Sequence, residues 1–181
     1  MTASREPQAA SPEDVGHRFT RDDNLYEDFK VGETLVHPRG RTVSDEHMMW
    51  TNFVLNTAQL HFNQKLCDDQ PEVTFNGRRV VYGGIVFAFV AGLASEETEE
   101  NALAHLSYDE GRHLTPVFAG DTLFAESTVL SKTEDDPRLS AFGRPGQAGV
   151  VKFLLRGKNQ KGDVVLEITR ELAILKKEFR P

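Results

Sequence analysis

The stretch "RVVYGGIVFAFVAGLAS", beginning at Arg79, is the most apolar run in the chain and dictates what the remaining elements must do. Period alone does not separate a buried helix from buried strands in so short an apolar run. Length does: the run is too long for one strand, and Gly83 and Gly84 interrupt it. The reading is a short lead-in, "RVVY", followed by a helix through "GGIVFAFVAGLASEE". That helix is apolar on nearly every side, so other elements must wrap it. Ala88, Ala91, Gly92 and Ala94 are small enough to let other backbone come close.

Four downstream segments have strand character and could supply the wrapping. They are "NALAHLSYDEGRHLTPV" from Asn101, "GDTLFAESTVLSKTE" from Gly120, "AGVVKFLLRGKNQ" from Ala148 and "GDVVLEITRELAILKK" from Gly162. "DDPRLSAFGRPGQ" reads as a long hairpin connection and "KNQKGD" as a short one. Upstream, a strand is expected from Glu33 to Val43 after a turn at Gly32. A helix should then start at Ser44, a natural N-cap followed by Asp45 and Glu46, and run to about Leu55. One strand, a helical section and four sequential strands predict an α+β domain, with an antiparallel sheet curled around one central helix.

A chain of 181 residues is long enough for one well-cored domain and short for two. Residues 1–24 mix Pro, Ser, Ala and charge without periodicity and are read as a flexible tail, leaving 25–181 as the domain. The net charge of -7, with acidic clusters near 95–100 and 134–136, argues against nucleic acid or an anionic membrane as partner. One cysteine, Cys67, rules out an internal disulfide and a Cys-rich zinc site. With neither a signal-peptide core nor a membrane-length apolar run, a soluble cytoplasmic protein is expected. The histidines form no metal set, and neither a G-x-S-x-G nor a phosphate-cradling glycine motif occurs.

The chemistry-bearing phrase is "LNTAQLHFNQ", residues 55–64, with Asn56 and His61 five positions apart. Together with "YEDFKVGETLVHPRGRTVSDEHMMWTNF", "VVYGGIVFAFVAGL" and "RHLTPVFAGDTLFAESTV", in that order and spacing, it resembles the MaoC-type dehydratase/hydratase family. The resemblance covers about residues 26–177. It is greatest toward the branch of mesaconyl-CoA hydratases, also described as methylmalyl-CoA dehydratases. It implies the hot dog fold, in which a curved antiparallel sheet wraps a long apolar helix. It also implies reversible hydration of a 2-enoyl thioester without metal or cofactor, coenzyme A being part of the substrate. A second copy normally covers the sheet edge and helix end in such folds, so a homodimer or larger homo-oligomer is expected.

Hydration needs a base for water, an acid for C2 and donors for the thioester oxygen. The resemblance places Asn56 where the family motif has Asp, and His61 on the motif histidine. Ala58, Gln59 and Asn63 replace its Asn, Pro and final Asp. A neutral amide accepts no proton at pH 7, whereas an imidazole, with an ordinary pKa of about 6.5, does. His61 must then carry the proton transfer, with Asn56 orienting water through its carboxamide oxygen or its NH2 group. The bland alternatives are a histidine bonded to backbone and an asparagine in the αL conformation capping a helix.

Gly83 and Gly84 open the apolar helix, where unpaired N–H groups could bind an oxyanion; close backbone packing would equally explain them. Gly83 matches the family glycine. Tyr82 could line the acyl pocket or pack in the core. Arg112 could pair with an additional free carboxylate on the substrate, or sit on a solvated strand face or a dimer contact. Arg78 and Arg79 are alternatives for that carboxylate or for coenzyme A phosphates. Rival readings are a thioesterase of the same fold, disfavoured because the helix offers no acid before Glu96, and an acyl-thioester-binding subunit without activity.

Overall fold

The apolar run folds as helix α3 (Gly83–Thr98) in the computed structural model, which describes residues 23–142 and 146–180. Val86, Val90, Ala94 and Thr98 recur every four residues and, with Ile85, make one buried stripe. That stripe packs on Val43, Val117, Leu123, Leu155 and Leu166.

The opposite side of α3 is not wrapped. Ala88 and Gly92 are exposed, and Phe87, Phe89 and Leu93 are only partly covered. A Cβ on Gly92 would meet nothing within 4 Å. Of the four small residues expected to admit close backbone, only Ala94 is buried. The close approach lies on the sheet instead, where a Cβ on Gly157 would sit 2.4 Å from Val90 Cγ2. The reason is geometric: one sheet offers one concave face, so half of an all-round apolar helix is left uncovered.

The sheet has six strands. The four expected downstream form as β3 (Ala102–His113), β4 (Thr122–Thr133), β5 (Ala148–Lys158) and β6 (Val164–Leu175). With β1 (Thr34–Val36) the order is β1-β4-β5-β6-β3, each neighbouring pair being antiparallel, so β3 is an edge. The β5–β6 hairpin closes at "KNQKGD". There Asn159 Oδ1 accepts the N–H groups of Lys161 and Asp163, and Gly162 takes a φ of +87°. An antiparallel sheet laid against one long apolar helix is the α+β hot dog arrangement.

The expected strand Glu33–Val43 is broken in two. β1 (Thr34–Val36) and β2 (Arg41–Thr42) both pair with β4, but "HPRG" between them leaves the ladder. Pro38 has no N–H to give a ladder. His37 turns inward instead, wholly buried, with Nδ1 2.8 Å from Glu97 Oε2 and Nε2 2.9 Å from Ser127 Oγ.

Helix α1 (Asp45–Phe53) starts after Ser44 as expected but ends before Leu55. Leu55 itself takes a φ of +57°, and the Asn56 N–H reaches back to the Thr51 carbonyl at 3.1 Å. That is the 6→1 closing bond of a Schellman motif. The αL residue is therefore Leu55 and not Asn56.

The expected tail lies outside the described residues except for Asp23 and Asn24. Leu25, Tyr26 and Phe29 are buried, the last two with Val129, Phe153 and Leu172. Among the described residues no helix is long and apolar enough to cross a membrane.

Candidate active site

The site is organised by the first turn of α3. Tyr82 is its N-cap, with φ −59° and ψ 131°, and the Tyr82 carbonyl accepts the N–H groups of Ile85 and Val86 at 2.9 and 3.1 Å. The N–H groups of Gly83 and Gly84 precede the first intrahelical bond and carry the positive end of the helix. Both positions need glycine for space. A Cβ on Gly83 would lie 2.7 Å from His113 Nε2, and one on Gly84 would lie 2.5 Å from the Tyr82 ring.

His61 closes a 3-10 turn (Gln59–His61). Its Nδ1 lies 2.9 Å from the Val80 carbonyl oxygen. A carbonyl only accepts, so Nδ1 carries the proton and Nε2 of the neutral ring keeps its lone pair. The segment is fastened on its far side. Asn63 caps helix α2 (Gln64–Asp69) by accepting the Leu66 N–H at 3.1 Å, and its Nδ2 donates to Gln59 Oε1 at 2.6 Å. Asn63, which takes the place of the motif's final Asp, thus holds the His61 turn to α2.

His61, Gly83 and His113 line one cavity of about 370 Å³ whose other walls include Val80, Val86 and Phe75. An imidazole with an available lone pair and a helix N-terminus facing one largely apolar space can move a proton beside a site for a developing oxyanion. Two of the residues singled out in the sequence, His61 and Gly83, are brought together here.

The others are placed differently. Asn56 Oδ1 accepts the Ala58 N–H at 2.8 Å in an Asx turn, and Asn56 stands outside the cavity lining. Tyr82 packs partly on the core, its ring centroid 5.5 Å from that of His61, and covers Gly84. Arg112 is exposed on β3 opposite Glu167. Arg79 is engaged by Asp45 Oδ1 at 2.9 Å and Gln64 Oε1 at 3.1 Å. The exposed Arg78 guanidinium lies 3.7 Å over the Phe118 ring, which meets Phe75 edge-on at 5.9 Å between centroids. A path of aromatic rings thus leads from the cavity wall to a cation.

His113 is the residue that sequence reasoning passed over. It ends β3, and the chain after it crosses the start of α3, where the Val117 carbonyl accepts the Val81 N–H at 2.8 Å. His113 keeps an exposed edge, and the part of its imidazole that is covered pushes it below its ordinary range. Nothing in the sequence links it to Gly83, thirty residues earlier.

The model of the mesaconyl-CoA hydratase family matches residues 7–176. The chain belongs to this family. It is 40% identical over 109 residues to a beta-methylmalyl-CoA dehydratase of Chloroflexus aurantiacus, covering 60% of this chain and 30% of that one. It is 34% identical over 155 residues to a mesaconyl-CoA hydratase of Cereibacter sphaeroides, covering 85% of this chain and 42% of the relative. A solved MaoC domain dehydratase protein from Chloroflexus aurantiacus superimposes with a TM-score of 0.73 at 28% identity, over 95% of this chain and 50% of that chain. The chain therefore spans less than half the length of these curated relatives.

Proposed function

We propose that this member of the mesaconyl-CoA hydratase family catalyses reversible hydration of a 2-enoyl-CoA thioester, a hydro-lyase reaction. The observation that carries this reading is His61, its Nδ1–H held by the Val80 carbonyl, facing the cavity that Gly83 at the start of α3 also lines. His61 Nε2 takes a proton from water as the oxygen adds to C3, and the resulting imidazolium returns a proton to C2. The Gly83 N–H stabilises the charge on the thioester oxygen in between. No metal or cofactor enters this scheme.

Asn56 lies outside the cavity lining and its carboxamide oxygen is engaged by the Ala58 N–H, so it can reach the reacting water only by donating from its NH2 group. The family names and the exposed Arg78 support a CoA thioester, with a carboxylated, mesaconyl-like acyl group first among candidates. Tyr82 and Gly84 border the acyl end, and Arg112 stays a candidate for the free carboxylate only from a neighbouring unit.

A second hot dog unit, a copy of this chain, is supported by three features. The relatives are more than twice as long as the part matched, α3 is uncovered on one side, and β3 is an edge. Trp50, Phe53, Val54 and Leu55 are exposed at the end of α1, which adds apolar surface for such a contact. The single cysteine supports a cytoplasmic enzyme.

Thioester hydrolysis on the same fold lacks its acid. The first carboxylate on α3, Glu96, is thirteen residues beyond Gly83, about 20 Å along the axis. The test is a panel of straight-chain, branched and carboxylated enoyl-CoA substrates followed by enoyl-thioester absorbance. Loss of absorbance, with greatest kcat/KM on mesaconyl-type substrates, is expected. Release of free CoA thiol, or saturable binding with unchanged absorbance, would refute the reading.

A further inference from the structure

The cavity contains two imidazoles, and the proton-transfer scheme uses one. His113 lies with Nε2 2.7 Å from the point a Gly83 Cβ would occupy, so its ring rests directly on the first residue of α3. It shares the cavity wall with His61. The two histidines are prepared for opposite tasks. His61 presents a lone pair, because its other nitrogen is committed to the Val80 carbonyl. His113 stands at the positive end of a helix, where a cationic ring is disfavoured and a neutral ring still offers one N–H.

We propose that His113 is a catalytic hydrogen-bond donor that shares with the Gly83 N–H the negative charge developing on the thioester oxygen. The inference rests on the hydratase reading of the site and goes beyond it by naming a second donor. No proton leaves His113: its N–H stays bonded to nitrogen while the oxygen gains and then loses charge. The ring's place against Gly83 fits this role, because a neutral imidazole polarises a carbonyl without having to give its proton up. It also accounts for the glycine at 83, since any side chain there would push the His113 ring off the oxyanion position.

The experiment measures steady-state hydration of crotonyl-CoA and mesaconyl-CoA by the full chain and by His113→Leu, His113→Gln, Gly83→Ala and His61→Ala. His113→Leu removes the donor while keeping bulk, and His113→Gln returns an N–H near the Nε2 position. Loss of one oxyanion donor predicts a fall of about 10²–10³-fold in kcat for His113→Leu with KM changed by less than about threefold. His113→Gln is expected to recover about tenfold or more of that loss. Gly83→Ala is expected to fall similarly, and the Gly83→Ala/His113→Leu double variant to fall no further than its worse parent.

Circular dichroism and thermal melting check folding, and His113→Ala replaces the leucine variant in the same comparison if that one does not fold. Retention of wild-type kcat without the imidazole, or an equal fall in the leucine and glutamine variants, would overturn the proposal. If His61→Ala abolishes turnover while His113→Leu keeps it, only this inference fails. If the wild-type chain hydrates neither substrate, the hydratase reading fails and takes this inference with it.

Discussion

Gly157 marks the closest approach of the sheet to the central helix, and replacing it with alanine measures how tight that contact is. The added methyl would sit 2.4 Å from Val90 Cγ2, 3.1 Å from Val90 Cγ1 and 3.3 Å from Val165 Cγ2. Val90 and Val165 are both fully buried, and the obstructing atoms are short branched tips with little freedom to yield. Overpacking of this kind costs about 1–3 kcal/mol, offset by roughly 0.5–1 kcal/mol for removing a glycine from a strand. With Val90 Cγ2 at 2.4 Å the overpacking falls in the upper part of that range, and a net loss of about 1–2.5 kcal/mol corresponds to a fall in Tm of roughly 2–10 °C for a chain of this size.

Val90→Ala alone leaves a void and costs about 2 kcal/mol, counting about 1 kcal/mol per methyl. Combined with Gly157→Ala, the new methyl fills part of that void. The double variant should therefore lose roughly 1–2 kcal/mol less than the sum of the singles. Urea and thermal unfolding followed by circular dichroism give all four corners of the cycle. A Gly157→Ala variant as stable as wild type, or singles that simply add, would refute this packing of α3 on β5.

Arg170 is fully buried on β6, paired with Glu99 and 2.6 Å from Thr98 Oγ1, so Arg170→Met should lower stability by about 3 kcal/mol in urea unfolding. An unchanged midpoint would show that the pair is dispensable. The buried His37 is held below its ordinary range chiefly by burial, so the unfolded chain binds the proton more readily than the folded one. The neutral ring's stabilisation is full above about pH 6.5 and is lost as pH falls from there toward the depressed folded value. The urea midpoint should be lower at pH 5.5 than at pH 7.5, and His37→Gln should show a smaller difference; an equal slope would contradict the assignment. Asn56→Asp keeps an acceptor for the Ala58 N–H and should leave Tm unchanged, whereas Asn56→Ala should lose about 0.5–1 kcal/mol. Equal stability of the two would argue against the Asx turn.

The elements that the sequence made legible are those whose cause is local. The apolar run with its two glycines was long enough to be a helix, and the turn chemistry of "KNQKGD" marked a hairpin. The misreadings have equally specific causes. The β-branched residues Thr34, Val36, Thr42 and Val43 on both sides of "HPRG" add up to one strand, but Pro38 cannot sit in the ladder and the buried His37 has a partner in Glu97, sixty residues away. Helix α1 is closed by Leu55 at positive φ, two residues past its last turn, which no propensity favours. At the site, the five-residue spacing linked His61 with Asn56, yet the short range that joins them in sequence also lets Asn56 close its own turn. His113 reaches Gly83 only because the chain from the end of β3 crosses the start of α3. Its one trace in the sequence is a histidine directly before "LTPV".

Hydration in this site depends on proton transfer by His61. The direct measurement is the initial rate of enoyl-absorbance loss with a saturating mesaconyl-type CoA thioester, for the wild-type chain and His61→Ala, with folding checked by circular dichroism. A wild-type chain that turns over, and a folded His61→Ala variant slowed by about 10²–10⁴-fold, is the predicted result. A folded variant that hydrates at the wild-type rate would contradict it.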